Sequence, residues 1–212
     1  MQDQHKQWEQ FFSEEPDLYG VEPSLPAQKA AELFKKENVS RILELGSGQG
    51  RDTLYFARLG FLVHALDYAE TGIRSITEKA KDIGLSSRVS ATLHDVRVPL
   101  PFEDNSFEAC YSHMLYCMAL TTAELLRLSA EVRRVLKPGG YQIYTVRHIG
   151  DPHYGMGIHR GEDMYEVGGF AVHFFSKEKV TQLAQGFEIL GIDKFEEGDL
   201  PRKLFQVTLR KM

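Results

Sequence analysis

The sequence contains little cysteine, and this excludes a disulfide framework. Cys110 and Cys117 are the two cysteines among 212 residues, and their spacing is not the C-x-x-C of redox and zinc motifs. So little cysteine is typical of a reducing compartment, and we expect a cytoplasmic protein. The hydrophobic content of 42% is enough to fill a core without covalent cross-links.

Long apolar runs and an excess of positive charge are also missing. No stretch approaches the ~20 apolar residues that cross a bilayer, and the N-terminal residues lack the apolar segment of a signal peptide. The net charge is −5 and the pI is near 5.9, whereas nucleic-acid-binding proteins usually carry a basic field. We therefore expect neither a membrane nor a nucleic acid as a partner. The length of the chain suits one domain.

What the sequence does have is a glycine-rich segment, Glu44–Gly50, directly after the short apolar run Arg41–Leu43. Glycine permits positive φ, and its missing side chain lets a ligand approach the backbone. A tight turn without a ligand is the alternative interpretation. The dinucleotide fingerprint G-x-G-x-x-G is not matched, because Arg51 stands at its third glycine. This argues against an NAD-dependent oxidoreductase. The glycines are Gly46, Gly48 and Gly50.

Predicted strands and helices alternate as far as residue 146. Alternation of this kind indicates a parallel sheet with helices on both faces. Thr121–Glu124 has the spacing of a capping box and predicts the start of a helix. The predicted strands are Arg41–Leu45, Phe61–Leu66, Val89–Leu93, Phe107–Tyr111 and Tyr141–Val146.

The last sixty residues depart from this alternation. Gly150–Gly169 is rich in glycine and histidine and is predicted to be a long functional loop. A helix is predicted over Ser176–Gln185. Two strands, Phe187–Phe195 and Leu204–Arg210, follow with a link so short that they should pair antiparallel. The predicted fold is α/β, a Rossmann-like doubly wound sheet of seven strands, mostly parallel with an antiparallel C-terminal hairpin.

The successive motifs resemble those of the class I S-adenosylmethionine (SAM)-dependent methyltransferases. The similar segments are Glu44–Gly50, Asp67, residues 94–96, residues 101–107 and residues 135–140. Residues 48–60, 173–176 and 186–189 further resemble the branch with tellurite-resistance and thiopurine-type enzymes, which implies a small, polarizable acceptor. The resemblance implies one domain over residues 1–212. Its parts would be an N-terminal cap (1–38) with an ordered loop at Ser13–Pro26, a SAM-binding core (39–146) and an acceptor side (147–212).

In a doubly wound sheet the ligand lies at the carboxyl ends of the strands. There we expect the glycine backbone and Glu44 to contact the methionyl part of SAM, Asp67 to accept both ribose hydroxyls, and Asp95 to accept from the adenine amino group. There are alternatives for each acidic residue. Asp67 and Asp95 could instead cap the helices that follow them, and Glu44 could be a solvated strand residue. The predicted cofactor-binding residues are Tyr19, Glu44, Gly46, Gly48, Gly50, Arg51, Asp67, Tyr68, Asp95, Val96 and Ser112.

On the acceptor side, His113 is predicted to remove a proton from the acceptor or to orient it. Arg147 or His148 is predicted to hold a negative charge. A metal site from His148, His153 and His159 is a weak alternative, since spacings of five and six fit no defined ligand pattern, and no metal is predicted. Cys110 is expected in the core rather than as a nucleophile.

The leading hypothesis is therefore methyl transfer from SAM to a small-molecule acceptor. The rivals are a methyltransferase that acts on protein or RNA, and a SAM-binding regulator without catalysis. The sequence does not name the acceptor atom, and it is compatible with a monomer or a homodimer.

Overall fold

The computed structural model describes residues 4–198 and 202–212, and the elements below are those of the described residues. The helices are α1 (Gln4–Glu14), α2 (Leu25–Lys36), α3 (Arg51–Arg58), α4 (Glu70–Asp82), α5 (Thr122–Val135) and α6 (Lys177–Leu183). The strands are β1 (Arg41–Leu45), β2 (Leu62–Asp67), β3 (Val89–Leu93), β4 (Phe107–His113), β5 (Leu136–Arg147), β6 (Ile158–Gly161), β7 (Met164–Val167), β8 (Phe170–His173), β9 (Phe187–Glu197) and β10 (Arg202–Lys211).

Seven of these strands form one sheet in the order β3-β2-β1-β4-β5-β10-β9. The first five are parallel, and β10 pairs antiparallel with both β5 and β9. The predicted fold, including the antiparallel hairpin, is confirmed. The order reverses between β1 and β4, which creates the crevice where ligands bind in sheets of this kind.

The helices begin where side chains can satisfy their free N–H groups. The capping box predicted at the start of α5 is present, with Thr121 and Glu124 bonding each other's backbone. α2 begins after Ser24, whose hydroxyl accepts from Ala27 N, and its alanine face is buried. Apolar residues fill the space on both faces of the sheet, and Cys110 is in this core as predicted.

The prediction of an irregular loop over Gly150–Gly169 is wrong. Residues 158–173, which begin near the middle of this segment, form a second, three-stranded antiparallel sheet, β6-β7-β8, while residues 150–157 are mainly turns and bends. Its strands are four residues each and their turns use residues with positive φ, among them Glu162, Asp163 and Gly168. Such short strands, rich in glycine and histidine, lack the alternating pattern by which longer strands are recognised.

Some element bounds also differ from the predictions. β5 begins at Leu136 rather than Tyr141, because the Pro138–Gly140 stretch continues as strand instead of a turn. β9 extends to Glu197, two residues beyond its predicted end, and β10 begins at Arg202. Residues 199–201, the middle of the predicted link, lie outside the described residues. Among the described residues, no helix is both long and apolar enough to span a membrane.

Candidate active site

A cavity of about 980 Å³ is lined by residues at or just after the carboxyl ends of β1, β2, β4 and β5. This volume is at the upper end of the range for ligand pockets, roughly 300–1,000 Å³. Because β9 and β10 pair beside β5, the end of β9 and the start of β10 reach the same edge of the sheet. Glu197 and Arg202 line the cavity there.

The glycine-rich loop is held to β2 by Asp67. One oxygen of its carboxylate accepts from Gly48 N at 2.7 Å and the other from Ala69 N at 2.9 Å. Burial raises the pKa of Asp67, although these backbone donors oppose the shift. A carboxylate has about four lone-pair positions, so two ribose hydroxyls still find acceptors on Asp67, which lines the cavity. The alternative, a cap for the following helix, is not realised, since Asp67 accepts from Ala69 N, whereas the first N–H groups of α4, at Glu70 and Thr71, donate to Glu9.

Glu44 lies at the floor of the cavity and is not solvated. Its carboxylate accepts from the Thr53 hydroxyl at 2.5 Å. Burial, together with the neighbouring negative charge of Asp52, raises its pKa to about 8. A buried acid of this kind is stabilised in its ionised form when a cation binds beside it. The ammonium group of a bound SAM molecule is such a cation.

Tyr68, Asp95 and Val96 line the cavity beyond β2 and β3. Asp95 forms a two-pronged ion pair with Arg97, in which Nε donates to Oδ1 at 3.0 Å and Nη2 to Oδ2 at 2.6 Å. The neighbouring His94 also lines the cavity, and its buried Nε2 has no hydrogen-bond partner among the described residues. Buried polar atoms are nearly always paired in proteins, so this nitrogen fits a site that a polar ligand completes.

Helix α1 lies across the cavity mouth and joins the two sheets. Trp8 packs against Phe12 at 5.5 Å between ring centroids and against Phe170 of β8 at 5.4 Å. The Gln49 side chain, from the glycine-rich loop, donates to Phe12 O and Glu15 O and accepts from Leu18 N. Three hydrogen bonds therefore link the covering segment to the loop.

Tyr19 and Arg51 meet at the edge of this cover. The Arg51 guanidinium donates to Tyr19 O at 3.2 Å and lies 6.0 Å from the Tyr19 ring centroid. Both residues line the cavity, although the Tyr19 side chain is half-exposed. Their positions agree with a role in closing the site.

His113 stands at the carboxyl end of β4 and lines the cavity. Its Nδ1 lies 2.8 Å from Thr145 Oγ1, and its Nε2 lies 3.3 Å from Glu197 Oε2. Both ring nitrogens therefore have partners. This arrangement favours the second of the predicted roles, orientation of a neighbouring group, over direct proton removal by the ring.

Arg147 lines the cavity, but its charge is already paired. The guanidinium binds the carboxylate of buried Asp151, with one contact of 3.0 Å. Asp151 also accepts from Lys203 N, so this pair fixes the start of β10 against the end of β5. An anion bound to Arg147 would have to compete with Asp151.

The prediction that His148 holds a charge in the site finds no support in the structure. His148 does not line the cavity, and its ring stacks on Phe205 with centroids 4.5 Å apart. Burial and the nearby lysines lower its pKa and so favour the neutral ring. The reason is alternation along the strand: successive side chains point to opposite faces, so Arg147 and His148 cannot both face the cavity.

Gly50 and Ser112 also lie outside the cavity lining. A Cβ on Gly50 would be 2.6 Å from Ile76 Cγ1, so this glycine is required for packing of the loop on α4 rather than for ligand contact. Ser112 is buried on the face of β4 opposite His113. Gly46 and Gly48, by contrast, line the cavity as predicted.

The three histidines of the weaker metal hypothesis are not gathered. His153 contacts Arg147, His159 packs on Tyr165 in the small sheet, and His148 is against Phe205. No group of three or more potential ligands of the histidine, cysteine and carboxylate type is found among the described residues.

Several residues at the site were not predicted. Thr145, which contacts His113 without lining the cavity, is inside a predicted strand, and Glu197 is inside a predicted link, so neither has a local signal of function. Gln49 stands between two glycines, and its side chain was not considered. The covering residues Trp8 and Phe12 and their partner Phe170 were not predicted to line the site either.

Comparison with known proteins finds similar methyltransferases. Residues 42–140 match a family model described as a methyltransferase domain. Phosphoethanolamine N-methyltransferase 1 of Triticum aestivum is 36% identical over 101 residues, which cover 47% of this chain and 20% of that protein. A second phosphoethanolamine N-methyltransferase of Triticum aestivum is 29% identical over 154 residues, or 66% of this chain and 30% of the relative. The chain thus spans less than a third of the length of these two relatives.

Solved structures share the fold over nearly the whole chain. The 1,6-didemethyltoxoflavin-N1-methyltransferase of Burkholderia thailandensis, solved with 1,6-didemethyltoxoflavin and S-adenosylhomocysteine (SAH), has a TM-score of 0.77 at 17% identity, covering 99% of this chain and 87% of its own. TehB of Haemophilus influenzae has a TM-score of 0.70 at 18% identity, and the match covers 97% of this chain and 67% of the TehB chain. At such identities the likeness shows the fold.

Residues 42–140 are thus similar to a methyltransferase domain, and the chain has the fold of solved SAM-dependent methyltransferases. The cavity offers groups suited to each part of SAM, the cofactor that the sequence motifs predict. When bound, SAM supplies an electrophilic methyl group on a sulfonium.

Proposed function

We propose that this protein transfers the methyl group of SAM to a small-molecule acceptor and releases SAH. The observation that carries the proposal is the division of one cavity into two ends. Glu44, Asp67 and Asp95 supply acceptors for SAM at one end, while His113 and Glu197 line the other. The transfer is an in-line displacement, so alignment in a closed pocket can supply much of the rate.

The enclosure of the acceptor end favours a small molecule. Helix α1 covers the cavity on one side, and Phe170, Ala171 and Val172 of the small sheet line it on another. A protein or RNA acceptor would need an open groove, and for RNA a basic surface, whereas the chain has a net charge of −5. The phosphoethanolamine and toxoflavin-type methyltransferases among the similar proteins also make small nitrogen acceptors the first to test.

The proposed roles follow the geometry. Glu44 binds the amino group of SAM, Asp67 the ribose, and Asp95 and Val96 the adenine. Tyr19, Tyr68 and Arg51 close the site. We further propose that the protein works in a reducing compartment such as the cytoplasm, since both cysteines are free and buried, as a monomer or a homodimer.

The test is SAH release in the presence of SAM and a panel of amines, thiols, phenols, selenite and tellurite. We expect release that depends on one acceptor class and is lost in an Asp67→Ala variant. Calorimetry with SAM and NADH in parallel checks the cofactor. SAM binding without SAH release on any acceptor would favour the rival interpretation, a regulator that binds SAM without turnover.

A further inference from the structure

Three polar side chains from three strands form a chain at the acceptor end of the cavity. Thr145 Oγ1 accepts from Met114 N at 3.0 Å and lies 2.8 Å from His113 Nδ1. His113 Nε2 in turn lies 3.3 Å from the Glu197 carboxylate. The chain therefore runs from β5 through β4 to the end of β9, and its last member faces the cavity.

The Glu197 contact decides where the proton of a neutral His113 ring lies. A carboxylate only accepts, so Nε2 must carry the hydrogen that points at Glu197. Nδ1 is then the acceptor, and the Thr145 hydroxyl donates to it. With both nitrogens used in this way, the imidazole has no free lone pair for the acceptor of the methyl group.

Glu197 is surrounded by positive charge and remains ionised. Burial raises its pKa, but the hydrogen bond from His113 and the charges of Arg51 and Arg202 outweigh burial and hold the pKa below its ordinary value. Arg202 is its direct partner in the β9–β10 register, and the Tyr19 hydroxyl is a further neighbouring group. The other carboxylates of the lining, apart from Asp17 and Asp82, belong to the SAM end.

We propose that Glu197 binds the acceptor, that His113 and Thr145 position Glu197, and that the acceptor is an amine that reacts as the free base. The inference rests on the proposed function of small-molecule methyl transfer. The amine nitrogen becomes positively charged as it is methylated, and the Glu197 carboxylate stabilises that developing charge. A thiolate, selenite or tellurite ion instead presents a negative nucleophilic atom to another negative charge. The carboxylate thus selects against anionic nucleophiles.

The proton balance of this step is simple. The lone pair of the neutral amine forms the new nitrogen–carbon bond while an N–H group of the amine donates to Glu197. The carbon–sulfur bond breaks, and its electron pair stays on sulfur. The methylated ammonium product, held beside the Glu197 carboxylate, then releases a proton to water.

The closing experiment compares Glu197→Gln with Glu196→Gln, the neighbouring exposed carboxylate on the same strand. The amine probes are ethanolamine, phosphoethanolamine and an aminopyrimidine, and the anionic probes are a thiol at high pH, selenite and tellurite. We expect SAH release with at least one amine and a loss of roughly 100-fold or more in kcat/KM for Glu197→Gln, as for removal of a group that stabilises charge in the transition state. SAH affinity should be unchanged, and Glu196→Gln should behave as wild type.

Nitrogen-15 NMR of histidine in the SAH-bound enzyme gives a readout that does not depend on the acceptor. We expect the Nε2–H form of neutral His113 in the wild type, and altered His113 nitrogen shifts in Glu197→Gln and Thr145→Val but not in Glu196→Gln. An Nδ1–H form, or turnover of an anionic probe with full activity in Glu197→Gln, would overturn the inference. Failure of the proposed function itself is distinguishable, because SAH would then not bind or no acceptor class would be methylated while the NMR result still stood.

Discussion

The Asp67 carboxylate accepts the backbone N–H of Gly48 at 2.7 Å, so the residue that faces the ribose also shapes the glycine-rich loop. Asp67→Ala removes this bond, the bond to Ala69 N and the proposed bonds to the ribose. Each buried backbone donor left without a partner costs about 1–3 kcal/mol. We expect SAH affinity to fall at least tenfold by calorimetry, and less in Asp67→Asn, which keeps one acceptor oxygen. Asp82→Asn, an exposed residue at the far edge of the cavity, is the control, and equal affinity in Asp67→Ala and wild type would remove Asp67 from the site.

Gly72 gives a second prediction about the same loop. A Cβ placed on Gly72 would lie 2.5 Å from the carbonyl oxygen of Gly48, closer than any real contact of this kind. Gly72 lies in α4 and has no positive φ, so steric displacement of the loop is the expected effect of Gly72→Ala. We expect at least a tenfold loss of SAH affinity and a lower Tm, despite the higher helix propensity of alanine. Glu78→Ala, on the exposed face of the same helix, should change neither quantity.

Sequence reasoning predicted the parallel sheet with its antiparallel hairpin and most of the cavity lining at the proposed SAM end, because those signals are local. The glycines, Asp67 and Asp95 each follow an apolar strand directly, and strand ends converge in a parallel sheet. The acceptor end depends on contacts between distant segments. Glu197 meets His113 only through the pairing of β9 with β10 and of β10 with β5, and no periodicity within β9 reveals this. Phe170 was missed for the same reason, since its partner Trp8 lies in α1.

The Gln49 side chain should control the order of the covering segment. Gln49→Ala removes its bonds to Phe12, Glu15 and Leu18 and leaves the backbone of the glycine-rich loop unchanged. We expect faster hydrogen exchange over residues 4–24 and a weaker protection of that segment by SAH, because closure excludes water from the reacting groups. Gln10→Ala is the matched control, since Gln10 bonds only to Glu14 within α1 among the described residues. Identical exchange in wild type and Gln49→Ala would show that these bonds do not hold the cover.

Glu44 predicts a pH dependence of stability. Its folded-state pKa of about 8 lies above the ordinary value of 4.5, so the folded chain keeps a proton that the unfolded chain has released. The contribution of this retained proton to the free energy of unfolding is therefore complete below pH 4.5, and it is lost as the pH rises towards 8. In the absence of ligand, we expect the Tm of the wild type to fall between pH 5 and pH 8 relative to the Tm of Glu44→Gln. Each kcal/mol lost from the free energy of unfolding should lower the Tm by ~2–4 °C. Exposed Glu32→Gln is the control, and parallel Tm curves for wild type and Glu44→Gln would contradict the burial argument.

The measurement that tests the central claim most directly follows the methyl group itself. The enzyme is incubated with SAM labelled in its methyl carbon and with a cell extract separated into small molecules, RNA and protein, and each fraction is examined by mass spectrometry. We predict that the label enters the small-molecule fraction, one methyl for each SAH formed, and that Asp67→Ala abolishes this transfer. Label in protein or RNA, or SAM that is bound but never consumed, would contradict the assignment as a small-molecule methyltransferase.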